Sequence, residues 1–190
     1  MAVATRDFQY QQIPGGLYVA RTKALDERGR LFADIRIWED AKQWVQDRGL
    51  GLLYSREWSE ARAYFETNNP EIERDMITGQ AEWTDSLIAH PNKDGNYASN
   101  LNNTRLPKGG KGKYALLVQG STVEKRKDGS YVIDGGEVIE LPQFPRKSGY
   151  LKKSIPELGL VEKSSCLNID SGFSYYEGLR PVIRGGRWLV

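Results

Sequence analysis

The sequence predicts an α+β protein whose helices are segregated from its sheet. Two stretches in the first half repeat apolar residues at helical spacing. From about Ile77 that spacing disappears, and Gly, Asn, Pro and β-branched residues take over. The second half then breaks into short strand-like runs separated by turn signals and two long loops.

Taken in order, "FQYQQIPGGLYVARTKAL" reads as two short strands around a Pro14–Gly15–Gly16 turn, and "DERGRLFADI" turns at Gly29. "IWEDAKQWVQDRG" follows as a helix with Ile37, Ala41, Trp44 and Val45 on one face and Gly49 as its C-terminal cap. After "LGLLY", Ser55 is placed to cap a second helix, "REWSEARAYFETN", with Trp58, Ala61 and Phe65 as its stripe. Pro70 is expected to close that segment. "ALLVQGSTV", "SYVIDGGEVIEL", "CLNID" and "LRPVIRGG" read as strands, with "KDGS" as a hairpin step. "HPNKDGNYASNLNNTRLPKGGKGK" and "PQFPRKSGYLKKSIPELGLVEK" fit neither period. Loops of that length inside a compact domain are uncommon and often functional.

With 190 residues the chain fits a single domain over 1–190, one able to bury roughly 70% of its unfolded surface without staples. Basic and acidic residues number 27 and 25, so the net charge of +2 leaves no nucleic-acid footprint. Basic clusters in "LPKGGKGK", "EKRKDG" and "PRKSGYLKKS" each carry Gly or Pro, the mark of exposed turns. Cys166 is the only cysteine, which rules out an internal disulfide. "MAVATRDFQYQQIPGG" has no apolar stretch of signal-peptide length, and no run reaches a membrane span. The expectation is a soluble protein with no membrane insertion; a virion or cell-surface assembly stays open.

Motifs for chemistry are sparse. With His90 the only histidine, a His-based metal cluster is impossible, and the "HPNKDGN" spacing does not fit an EF-hand loop. Cys166 with His90 could form a nucleophile pair, but a lone cysteine beside "LNI" also reads as a small buried hydrophobe. "KGGKGK" lacks the spacing of a phosphate loop. Glu57, Glu60, Glu71, Glu73 and Asp75 sit on a charged helix face or just after it, and nothing singles out an acid–base pair. No metal and no cofactor are expected. In "GQAEWTDSLIAHP", Trp83 is expected to pack under the sheet, with Glu82 in an internal ion pair or backbone hydrogen bonds.

"GQAEWTDSL" resembles the G-x-V-x-E-W-T-x-D element of formylglycine-generating-enzyme-like (sulfatase-modifying-factor) domains. "IWEDAKQWVQDRGLGLLYSREWSEAR" is similar to another stretch of that family through Trp38, Asp40, Ala41, Gly49, Leu52, Glu57, Trp58 and Ala61. "GLRPVIRGG" is similar to its G-F-R-x-V ending through Gly178, Leu179, Arg180 and Val182. The matches cover about half the chain, in the family's order. The resemblance implies a C-type lectin fold, with two helices packed on an irregular, mostly antiparallel sheet and long inserted loops. Active members carry a cysteine pair that holds copper; this chain has only Cys166, so that activity is not implied. The region between "AEWTDSL" and "CLNID" also departs from the family by its insertions.

A non-catalytic branch of the same fold fits better: the variable proteins of diversity-generating retroelements, found in phages, bacteria and archaeal viruses. There a C-terminal stretch ending in a G-[FL]-R-like motif is diversified at adenines and displayed for receptor or target recognition. In this chain that stretch is about 164–180. Asp170, Ser171, Gly172, Phe173, Ser174, Tyr175 and Tyr176 are all reachable from Asn codons by adenine mutation, whereas Glu177 is not. The resemblance implies ligand contacts from Asp170, Ser171, Phe173, Ser174, Tyr175 and Tyr176, with Asn168 as a further candidate. Trp58, Glu82, Trp83 and Arg180 would hold the scaffold. Tyr offers a rigid amphipathic contact area, and Ser and Gly adapt around it; "DSGFSYYEG" also reads as a polar surface loop with one anchoring aromatic. The implied partner is a protein or glycan on another cell or particle. A divergent enzyme of the same fold and a structural virion component are the alternatives.

Overall fold

The computed structural model describes residues 8–24, 35, 37–77, 82–97, 101–102, 112, 114–145, 168–169 and 178–185. Among them the chain is mixed α+β. Strands β1 (Tyr10–Ile13) and β2 (Leu17–Ala20) lead to helices α1 (Trp38–Gln46), α2 (Ser55–Asn68) and α3 (Pro70–Ile77). Strands β3 (Glu82–Trp83), β4 (Ser86–Ala89), β5 (Leu101–Asn102), β6 (Tyr114–Gln119), β7 (Thr122–Lys125), β8 (Tyr131–Asp134) and β9 (Glu137–Pro145) follow. The last are β10 (Asn168–Ile169), β11 (Gly178–Leu179) and β12 (Val182–Arg184).

These strands form four small sheets, ordered β1-β2-β12, β10-β4-β6-β9, β11-β3 and β5-β8-β7. The pairs β10–β4, β11–β3 and β5–β8 are parallel and the others antiparallel. "ALLVQGSTV" and "SYVIDGGEVIEL" are each two strands rather than one. The chain leaves the four-stranded sheet after β6, makes the β7–β8 hairpin in another sheet, and returns as β9 beside β6. At the hairpin tip the Asp128 carboxylate accepts from the Ser130 N–H at 2.9 Å and its hydroxyl at 2.6 Å, fixing the "KDGS" turn.

The β1-β2-β12 sheet separates two apolar cores, as strand alternation requires. Val19 and Val182, paired in register, face α2 and α3 with Trp58, Ala61, Phe65, Ile72 and Met76. Tyr18 and Ile183, also paired, face the other core, which contains Trp38, Val45, Trp83, Leu116, Val118 and Ile133.

The helices depart from expectation in three ways. There are three, because Pro70 opens α3 instead of ending the helical region: a proline at the first helical position gives up only an N–H that would be unpaired anyway. Ser55 is the first residue of α2 and not its cap. Tyr54 holds that position, its N–H donating to the Glu57 carboxylate at 2.8 Å, while the Ser55 N–H donates to Ser86 Oγ. The buried face of α1 is Trp38, Ala41, Lys42 and Val45, and Trp44 is half-buried. Lys42 lies on the core side because a carboxylate waits there, a partner that helical spacing cannot reveal.

The C-terminus of α1 closes at Gly49, with Leu50 N–H donating to Val45 O at 2.8 Å and Gly49 N–H to Gln46 O at 3.0 Å. Gly49 has φ +66° and open space around its Cα. Gly49→Ala is therefore expected to cost about 1–2 kcal/mol through backbone strain alone. Urea unfolding should show a lower midpoint with unchanged slope. Beside this turn, the Gln46 amide group donates to Val123 O and accepts from Val123 N–H, both at 2.9 Å. One side chain thus satisfies both backbone groups of a residue in β7, an edge strand of its sheet.

Candidate functional site

The expected contact residues Asp170, Ser171, Phe173, Ser174, Tyr175 and Tyr176 lie outside the described residues, as do Cys166 and Glu177. The structure does describe both flanks of this segment. Asn168 and Ile169 pair in parallel with Leu87 and Ile88, and Gly178 and Leu179 pair in parallel with Glu82 and Trp83. The two flanks therefore dock on one continuous stretch, Glu82–Ala89. That stretch is buried from Glu82 to Ala89, so its backbone groups are paired and its position is set by the core.

Alternation sorts the residues of β3, and those of β11 with the Arg180 that follows it, onto two faces. Trp83 and Leu179 enter the same apolar core. Glu82 and Arg180 enter a charged cluster on the other face. Arg180 Nε lies 3.0 Å from Glu82 Oε1, and its Nη2 lies 2.8 Å from the same oxygen. The Trp58 indole N–H donates to Glu82 Oε2 at 2.7 Å. Arg180 also donates to Ala20 O at 2.6 Å and to Asp75 Oδ2 at 2.5 Å. Lys23 Nζ completes the cluster, donating to Asp75 O at 2.6 Å and lying 3.9 Å from Glu82 Oε1. The cluster holds two cations and two carboxylates. Glu82 is fully enclosed and Arg180 only 1% exposed, whereas Asp75 is 38% exposed. Burial works against the guanidinium charge, but Glu82 and Asp75 outweigh it and push the Arg180 pKa up, so the guanidinium keeps its charge.

A second buried pair, Lys42 Nζ and Asp85 Oδ1 at 2.8 Å, ties α1 to the link between β3 and β4. Trp38 Nε1 donates to Thr84 O at 2.8 Å beside it, and Asp85 N–H donates to Leu53 O at 2.7 Å. Burial pushes the Asp85 carboxyl up from the ordinary carboxylate range, and the Lys42 ammonium only partly offsets this. Glu82–Ala89, the platform for both flanks, is thus clamped to α1, α2 and α3 together.

Trp58, Glu82, Trp83 and Arg180 are all buried. Lys23, Lys42, Asp75 and Asp85 belong to the same framework and were not singled out for it by the sequence. Glu57, Glu60, Glu71, Glu73 and Asp75 each form an ion pair with an arginine: Arg184, Arg56, Arg21, Arg62 and Arg180 respectively. They act as latches between elements or along a helix, and Arg184 also stacks 4.3 Å from the Tyr54 ring centre. Among the described residues, no three or more His, Cys, Asp or Glu side chains converge as metal ligands would. No described helix is long and apolar enough to cross a membrane. No family model matches the chain, and no curated protein or solved structure matches it.

Proposed function

We propose that this chain is a non-catalytic ligand-binding protein with a C-type-lectin-like scaffold, displaying residues of the stretch 164–180 as its contact surface. On this reading it serves as the variable protein of a diversity-generating retroelement. One observation supports it most: the two flanks of the segment are paired in register to a single buried platform, which four charged side chains clamp to the helices. A segment whose ends are held this firmly loses less freedom when it engages a partner. The residues between those ends, rich in Tyr, Ser and Asp, suit adaptable contact with a protein or glycan.

The test has a genetic and a biophysical arm. The DNA beside the coding region is expected to hold a near-copy of the codons for "CLNIDSGFSYYEGLRPVIRGG", differing only at adenines, next to a reverse transcriptase. Replacing Asp170, Ser171, Phe173, Ser174, Tyr175 and Tyr176 singly by other residues reachable by adenine mutation should move Tm by no more than about 2 °C each. Loss of folding on those swaps would assign the segment to the core and overturn the display reading.

A further inference from the structure

We infer that Lys23 is a positioning residue for the terminal segment: its aliphatic stem, lying across Gly178, sets where β11 rests against β3. The functional meaning of this inference rests on the display reading, since Gly178 begins the return limb of the segment.

A Cβ added at Gly178 would sit 2.6 Å from Lys23 Cδ, 3.1 Å from Cε and 3.3 Å from Cγ. The stem therefore occupies the space that any other residue at 178 would fill. It cannot easily swing away, because both ends are held. Lys23 N–H donates to Asp75 Oδ2 at 3.2 Å, and the ammonium donates to Asp75 O at 2.6 Å. Lys23 is 7% exposed, enclosed between the end of α3 and the return limb. Around it the chain runs as a strap over that limb: Ala20 N–H donates to Pro181 O at 3.0 Å, and Ala24 N–H to Leu179 O at 2.6 Å. The residue at 178 must therefore be small, and the residue at 23 must be long and apolar along its length, the ammonium's bond to Asp75 O being a further hold. Lysine and glycine meet those two demands together.

Amide hydrogen exchange read by NMR tests this without any ligand. Lys23→Ala is expected to speed exchange of the Ala24 amide at least tenfold, leaving the Asp85 amide, which bonds Leu53 O, within threefold of the parent. Gly178→Ala should do the same, since its methyl drives the stem out. The double variant Lys23→Ala/Gly178→Ala should return the Ala24 amide to within threefold, because the new methyl enters the vacated space. Lys23→Met keeps most of the stem and should stay within threefold. Unchanged Ala24 exchange in Lys23→Ala would overturn the inference, as would an equal rise at Asp85, no recovery in the double variant, or a tenfold rise in Lys23→Met. None of these readings depends on a template copy or a binding partner, so a failure here is distinct from a failure of the display reading.

Discussion

Glu82→Ala should cost about 3–5 kcal/mol of stability, the penalty of leaving a buried charge without its partner. Glu82 receives hydrogen bonds from Arg180 and Trp58 and sits 3.9 Å from Lys23. Truncating it leaves a guanidinium that is 1% exposed with only the carboxylate of Asp75, itself 38% exposed, to balance it. For a chain of this size that loss lowers Tm by about 6–20 °C. The informative comparison is Glu82→Leu with Arg180→Met in one protein. Removing both charges should recover most of the loss, because an apolar pair of similar volume need not be desolvated. Urea unfolding of the two single variants and the double variant gives the coupling directly. Loss in the double variant equal to the sum of the single losses would show that the two residues act separately, against the geometry.

Lys42→Met is expected to be the second large effect, again about 3–5 kcal/mol, since the enclosed Asp85 carboxyl would lose the ammonium that pairs with it at 2.8 Å. Lys42→Met/Asp85→Leu should be neutral or more stable than the parent. The pH dependence has a definite sign. Burial raises the folded pKa of Asp85 above its ordinary value, so the folded chain takes up this proton more readily than the unfolded chain. Its contribution to stability is full below the ordinary carboxylate pKa near ~3.9 and is lost as pH rises through the folded pKa. Asp85→Asn should remove that slope from a pH series of unfolding midpoints. A slope that survives the substitution would place its origin elsewhere.

Local sequence determined those elements whose cause is local. Trp58, Ala61 and Phe65 recur at helical spacing and do line the buried face of α2. Gly49 ends α1 because its positive φ is a local demand, and Asp128 makes the β7–β8 turn by bonding its near neighbour Ser130. Pro14–Gly15–Gly16 joins β1 and β2 for the same reason. Pro70 was expected to close the helical region and instead opens α3, since proline both ends a helix and starts one; the choice fell to Ile72 and Met76, which bury against the α2 side of the β1-β2-β12 sheet.

The tertiary structure alone decided the partners. Lys42 carries no sign in the sequence that Asp85 will meet it, nor Lys23 that it will lie across Gly178. Arg180 and Glu82 are distant in the chain, and their contact arises only when β11 pairs in parallel with β3. Hydrophobic period and turn chemistry act over a few residues, whereas the pairing of buried charges depends on which chain segments the fold brings together. That is why strands, turns, two helices and the scaffold residues Trp58, Glu82, Trp83 and Arg180 were legible in the sequence, whereas Lys23, Lys42, Asp75 and Asp85, which complete the clamp, were not.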